Sequence, residues 1–291
     1  MAVIYPLLAS MLRGYRRVAP TERGGYRLAR FVRRFRPRDQ WRGVYRTPGG
    51  FVMTLDLGVY PDCCMAFGLY ELDTERLIRR ILRPGDRFVD AGANIGYFTM
   101  LAASVVGDSG RVDAFEPQPD NRARLIEHLQ RNELADRVRV HPLALGDRDD
   151  TVTIHYYIDR LNHGSSTLFV EPDARTRRVE VPMRRMDDVL ADVDTAPVRL
   201  VKMDIEGAEP LAIAGMARLL GAEQPPMIVC EFNPSQARVA GFDSAETVRR
   251  VLDIQPRYTV YRVGWRLQRL TDPLNDLPRL RQCNLLFRPS P

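Results

Sequence analysis

Short apolar runs and helix-spaced apolar positions alternate along most of this chain. Phe88 and Val89 end a buried strand that follows a Pro84-Gly85 stop, and Ile95, Phe98, Leu101, Ala102 and Val105 then recur at helical spacing. The alternation repeats with a strand-like run over 111–116, a helix carrying Leu125, Ile126 and Leu129, and a short strand at Val138 and Val140. Residues 198–204 and 227–232 read as a fourth and a fifth strand, with Pro210 in the first turn of the helix between them and Gly221 at its end. A helix around 248–252 follows, and strands over 258–263 and 283–287 close the sheet as an antiparallel edge pair. Strands alternating with helices predict an α/β fold: a mostly parallel, seven-stranded sheet with helices on both faces.

Two stretches depart from the alternation. Residues 43–47 and 51–55, joined by Pro48-Gly49-Gly50, read as a hairpin, and Asp73 then caps a helix carrying Leu77, Ile78, Ile81 and Leu82. Residues 151–158 alternate at period two, residues 179–182 are a second extended piece, and the polar run 161–167 lies between them. This reads as an antiparallel ribbon inserted in the sheet order, with a loop able to fold over a site. The expected division is an N-terminal arm over 1–45 and one domain over 46–291, with the hairpin in 46–70 and the inserted ribbon in 151–185.

The strand–turn–helix over 88–99 carries the candidate chemistry. Gly92 and Gly96 suit a turn pressed against a ligand, and Asn94, after Ala93, tolerates a left-handed backbone. A dinucleotide fingerprint needs three glycines and a pyrophosphate on the helix N-terminus. Here only Gly92 and Gly96 are present, and Asp90 at the strand tip would repel a pyrophosphate. A carboxylate there suits a ligand with a cationic amine and no phosphate, such as S-adenosylmethionine. Glu116, at the end of the next strand, is placed to accept hydrogen bonds from both ribose hydroxyls. The alternatives are a nucleotide-free turn with a capping aspartate, or a nicotinamide or flavin site.

"VDAGANIGYFT", "FEP", "KMDIEGAE" and "CEF", in this order, resemble the FkbM family of S-adenosylmethionine-dependent methyltransferases, over residues 68 to 288. The resemblance implies a class I methyltransferase fold, Rossmann-like, and O-methyl transfer to a hydroxyl of a sugar, glycolipid or polyketide-type molecule. It also places Tyr70-Glu71 near the amino-acid end of the cofactor, which makes Glu71 a contact; the other reading of Glu71 is helix-dipole stabilisation. Analogy with methyltransferases sets backbone groups near Ala144 at the adenine edge. Asp204, at the tip of the fourth strand, would orient the acceptor hydroxyl or take its proton. His163, in the Gly/Ser-rich loop, has a suitable pKa range for a base and reads otherwise as an ordinary loop histidine. Asp204, Glu231 and Asn233 offer hard oxygens that resemble those of magnesium-dependent O-methyltransferases, a minority reading beside metal-free transfer.

Charge changes the picture at the N-terminus. The chain is +6, yet residues 1–46 hold twelve arginines against Glu22 and Asp39, a net +10, so the remainder is −4. Leu28, Phe31, Val32 and Phe35 recur at helical spacing among these arginines. Such a helix either caps the core or a dimer mate, or lies on anionic lipid. No nucleic-acid motif accompanies the charge. The apolar opening over 1–12 is too short to span a bilayer and lacks the basic start and cleavage site of a secretory leader. Cys63, Cys64, Cys230 and Cys283 have no metal-binding spacing and read as free thiols, which together with the missing leader suggests a cytoplasmic protein, with membrane-peripheral contact through the arm as an open option. Oligomeric state is not encoded in any motif. Two other classes remain: a nicotinamide-dependent oxidoreductase, and a non-catalytic membrane-peripheral protein with a vestigial methyltransferase fold.

Overall fold

The structure, a computed structural model, describes residues 4–18, 24–157, 166–169, 176–191 and 196–290. Helices α1 (Ile4–Val18) and α2 (Gly25–Arg33) precede a hairpin of β1 (Arg42–Arg46) and β2 (Val52–Asp56), then α3 (Asp62–Phe67) and α4 (Leu72–Ile81). The strand–helix alternation begins at β3 (Arg87–Ala91) and runs through α5 (Tyr97–Val106), β4 (Arg111–Phe115), α6 (Pro119–Arg131) and β5 (Val138–His141). After β6 (Ala144–Leu145), β7 (Asp150–Tyr157), β8 (Ser166–Thr167), β9 (Thr176–Arg184) and α7 (Met186–Ala191), it resumes at β10 (Val198–Met203). The remainder is α8 (Glu209–Ala214), α9 (Ala217–Gly221), β11 (Met227–Phe232), α10 (Pro234–Val239), α11 (Glu246–Ile254), β12 (Tyr258–Arg262), β13 (Gln268–Arg269), α12 (Pro273–Asp276) and β14 (Cys283–Pro289).

The main sheet runs β13-β12-β14-β11-β10-β3-β4-β5. Its five strands from β11 to β5 are parallel, and β14, β12 and β13 are antiparallel. The seven expected strands are all present; the eighth is a two-residue edge strand too short to leave a periodic signal. Period-two alternation divides the core. Phe88, Ala114, Leu200, Val229 and Leu286 pack on one face, and Val89, Phe115, Val201, Ile228, Cys230, Leu285 and Phe287 on the other.

Three details differ from the sequence reading. The ribbon β7–β9 is antiparallel but belongs to a separate four-stranded sheet, β6-β9-β7-β8, outside the order of the main one. That small sheet has its own core of Ala144, Ile154, Val181 and Met183, so it does not need the main sheet's edge. Helix α4 starts two residues earlier than expected: Glu71, at φ 38°, is its N-terminal flanking residue, and Asp73 lies within the first turn. The helix opened by Pro210 breaks at Gly215 into α8 and α9.

The hairpin is fastened to the body through α6. The Thr54 amide donates to Nε2 of His128 at 3.0 Å, and the Val52 amide donates to Oδ1 of Asn132 at 2.8 Å. Nδ1 of His128 lies 2.8 Å from the Ile95 carbonyl, so this buried histidine is a clamp between hairpin and turn. Part of the arm's charge is likewise structural. Arg33 is buried, donates to the Leu57 carbonyl and stacks over Trp41 at 4.7 Å.

From β3 the chain steps outward to β4 and β5, then returns to place β10 on the other side of β3. This reversal opens a crevice beyond the carboxyl ends of β3 and β10, the position where open α/β sheets bind ligands.

Candidate active site

A cavity of about 300 Å³ lies in that crevice. The turn after β3 forms part of its wall. The amides of Gly92 and Ala93 both donate to the Phe115 carbonyl, at 3.1 and 2.9 Å, tying the turn to the tip of β4. Gly92 has φ +86°, and a Cβ on it would stand 1.9 Å from the Asp204 carbonyl oxygen. The glycine is therefore required by the neighbouring strand β10, where the sequence suggested a ligand. Gly96, at φ +91°, is in the same position against Leu125: its missing Cβ would lie 2.4 Å from Cδ1.

The acidic residues at the strand tips have separate environments. Glu116 is buried; its two oxygens accept from the amides of Asn94 and Gln118, at 2.7 and 2.8 Å. Burial pushes its pKa up to about 7 despite those bonds. Each carboxylate oxygen can accept again, so Glu116 keeps capacity for hydroxyl donors. Asp90 is 1% exposed and stands behind the wall. Thr99 Oγ1 donates to its Oδ2 at 2.6 Å, and Oδ1 has no hydrogen-bond partner among the described residues. Burial raises the Asp90 pKa, and Lys202 opposes the rise.

Lys202 is the residue that sequence reasoning missed. It is the only lysine of the chain, and it is 3% exposed at the cavity. Its Nζ lies 3.2 Å from Oδ2 of Asp204 and 4.9 Å from the centre of the Phe98 ring. Burial alone would lower its pKa, but the carboxylates of Asp204, Glu71 and Asp90 together raise it. The signal was available: one ammonium kept beside "MD" in a chain that uses arginine everywhere else.

Glu71, Gly92, Ala93, Asn94, Glu116, Ala144 and Asp204 all line this one cavity. Asp90 and Gly96 support the wall without lining it, and His163 lies outside the described residues. Glu71 accepts from Nδ2 of Asn284 at 2.9 Å, and burial raises its pKa. Glu206 also lines the cavity and accepts from Nε2 of Gln236 at 3.0 Å. Glu209 does hold the helix start: it accepts from the amides of Ile205 and Gly207, both at 3.0 Å. Of the four non-glycine residues with positive φ among the described residues, three line the cavity: Glu71, Asn94 and Glu206. Backbone held in this sparsely populated region is typical of binding sites.

The lining carries five carboxylates, Glu71, Glu116, Asp204, Glu206 and Glu231, against the single ammonium of Lys202. Among the described residues no arginine lines the cavity, in a chain with 43 basic residues. Such walls suit a cationic ligand and disfavour a pyrophosphate. Among the described residues no three His, Cys, Asp or Glu side chains converge to hold a metal ion.

The parallel sheet with its reversal beside the Gly92–Gly96 turn, and acidic residues at successive strand tips, defines a class I methyltransferase. Residues 90–263 match the profile of the methyltransferase FkbM domain, and the chain belongs to that family. It is similar to the 31-O-demethyl-FK506 methyltransferase FkbM of Streptomyces tacrolimicus, with 31% identity over 162 residues covering 46% of this chain and 61% of that protein. It is also similar to the 2-O-methyltransferase NoeI of Sinorhizobium fredii, with 23% identity over 198 residues covering 63% of this chain and 76% of that one. The solved FkbM methyltransferase from Methylobacillus flagellatus KT aligns with a TM-score of 0.46 at 20% identity, over 78% of this chain and 54% of its own. The chain thus spans less than two thirds of the length of the FK506 relative.

Proposed function

We propose that this protein is an O-methyltransferase that moves a methyl group from S-adenosylmethionine to a hydroxyl of a sugar, glycolipid or polyketide-type molecule. Family membership supports methyl transfer, and the acidic cavity at the sheet reversal is the observation that carries the choice of donor. The donor site fits these residues. Glu116 has acceptor capacity left for the ribose hydroxyls. Leu143, Ala144 and Phe115 offer an apolar slot for the base, and Glu71 faces the same space. The unpartnered Oδ1 of Asp90 adds negative charge behind the turn, where an ammonium is to be held. When bound, the donor supplies an electrophilic methyl on a sulfonium, a leaving group that needs no acid.

The chain's own part is alignment and proton removal. Asp204 accepts the hydrogen bond of the acceptor hydroxyl and takes its proton as the new O–C bond forms and the S–C bond breaks. Lys202 holds the Asp204 carboxylate in place through their ion pair. His163 remains a second candidate for the proton, and Ala-substituted enzyme at that position separates the two.

Calorimetry with S-adenosylmethionine and with NADH tests the donor. Binding of the first alone is expected; binding of NADH alone would overturn the assignment. Transfer is expected to survive EDTA, since hydroxyl attack here relies on Asp204 and not on a bound cation.

Glu116 also makes donor binding pH-dependent. Its folded pKa of about 7 lies above the ordinary 4.5, so ionising it disfavours the fold, and its contribution to stability declines as pH rises from 4.5 through 7. Donor binding needs the ionised acceptor, so affinity should weaken below pH 7, by at most about tenfold per unit. Glu116→Gln is expected to bind about tenfold more weakly at pH 8 and to lose most of this slope. Titration calorimetry across pH 5.5–8 reads both effects, with ~ one unit spacing sufficient to resolve the slope.

A further inference from the structure

Helix α1 has apolar side chains on two sides, and among the described residues only one side is covered. Ala9 and Leu12 are buried, and Tyr5 and Leu8 pack against the core. On the opposite side Leu7, Met11 and Tyr15 recur every fourth residue and are 62%, 64% and 42% exposed. Phe31 of α2, 49% exposed, lines a shallow groove with Tyr15. A helix that combines an exposed apolar stripe with a basic polar face suits the boundary between water and lipid headgroups. The charges beside this stripe have one sign: α1 and α2 contain no acidic residue, and Arg27, Arg30 and Arg34 of this region are exposed.

The same helices sit next to the cavity. The Tyr26 ring meets Tyr60 edge-on at 5.2 Å, and Tyr60 is part of the cavity wall. Tyr60 continues to Tyr70 and from there to Phe98, under Lys202. Helix α2 is therefore in direct side-chain contact with the wall of the site.

We propose that the outer face of α1 and α2 docks on an anionic lipid surface and presents the cavity to an acceptor carried in that surface. Apolar side chains enter the headgroup boundary while the arginines meet lipid phosphates. The absence of acidic residues on both helices favours this occupant over a second copy of the chain, whose matching face would bring arginine against arginine. The acceptor half of the inference rests on the methyltransferase reading; the docking half does not.

The test is co-sedimentation of the full chain with vesicles of phosphatidylglycerol and phosphatidylcholine in equal parts, and with phosphatidylcholine alone. Binding to the mixed vesicles and not to the neutral ones is expected. Each arginine at an anionic surface is worth about a fivefold change in partitioning, so R27Q/R30Q/R34Q should bind about a hundredfold more weakly. M11S/F31S should lose binding with the charge intact. Both variants change exposed side chains, and an unchanged thermal midpoint confirms that they fold. No binding to the mixed vesicles, equal binding to both kinds, or a dimer in solution that the same variants dissolve would overturn the docking. Tritium transfer from labelled donor into a membrane extract is expected to fall several-fold in R27Q/R30Q/R34Q; equal transfer by both proteins overturns the acceptor half. Loss of donor binding in calorimetry, with vesicle binding retained, would instead count against the methyltransferase reading.

Discussion

Asp204→Asn is expected to slow methyl transfer by about 10²–10⁴-fold, the usual worth of a positioned general base. Donor affinity should stay within about threefold, because the polar donor contacts are assigned to Glu116, Glu71 and the turn. The asparagine keeps the size of the side chain and can still accept from Lys202, so the 3.2 Å contact survives without its charge. Single-turnover tritium transfer with a cell extract as acceptor source, beside calorimetry with the donor, separates the two quantities. A parallel loss of binding and turnover would place Asp204 in the donor site instead. Full activity in this variant, with loss in His163→Ala, would hand the proton to the loop.

Lys202→Met is expected to cost about 3–5 kcal/mol of unfolding free energy, the usual penalty for removing one partner from a buried ion pair. Methionine fills similar space, so the loss comes from Asp204, Glu71 and Asp90 facing one another without a cation. The pH dependence has a definite sign. In the native chain the raised pKa of Lys202 gives stability that is fully present below 10.5 and lost as pH rises through the higher folded value. In the variant, Glu71 and Asp90, already raised by burial, lose the cation that opposed the rise. Their protonation then relieves the repulsion, so the deficit should be largest at neutral pH and shrink toward pH ~5. Urea unfolding at the two pH values measures this, and an equal deficit at both would contradict it. Adding Asp204→Asn to Lys202→Met should restore part of the stability.

The sheet was readable because its strands are buried on both faces and bounded by turn residues. Pro84-Gly85 before β3 and the helical spacing from Ile95 are local signals that the tertiary structure leaves unopposed. The residues that close around the cavity were readable as a set, since they follow consecutive strand tips. Their individual environments were not. Asp90 has the same place in the pattern whether it faces a ligand or turns back to Thr99, and only the packing of α5 decides between them. Gly92 reads as a ligand glycine, but the atom that excludes a Cβ is the carbonyl of Asp204, more than a hundred positions away in the chain. Glu71 lies in a left-handed conformation that nothing in its neighbours forecasts, and its carboxylate meets Asn284 on the last strand, far away in the chain. The separate sheet around β7 and β9 was hidden for a similar reason: period-two alternation reports that a strand has two unlike faces, and is silent about which sheet it joins.

The solitary lysine gives the folded protein an unusual chemical identity. Reagents that acylate amines will find no accessible side-chain target, because the one candidate is enclosed and held protonated by its acidic neighbours. Any acyl group recovered on position 202 after brief exposure therefore reports an opening of the molecule. Protection of that position by added donor would turn mass spectrometry into a direct gauge of how long the crevice stays closed.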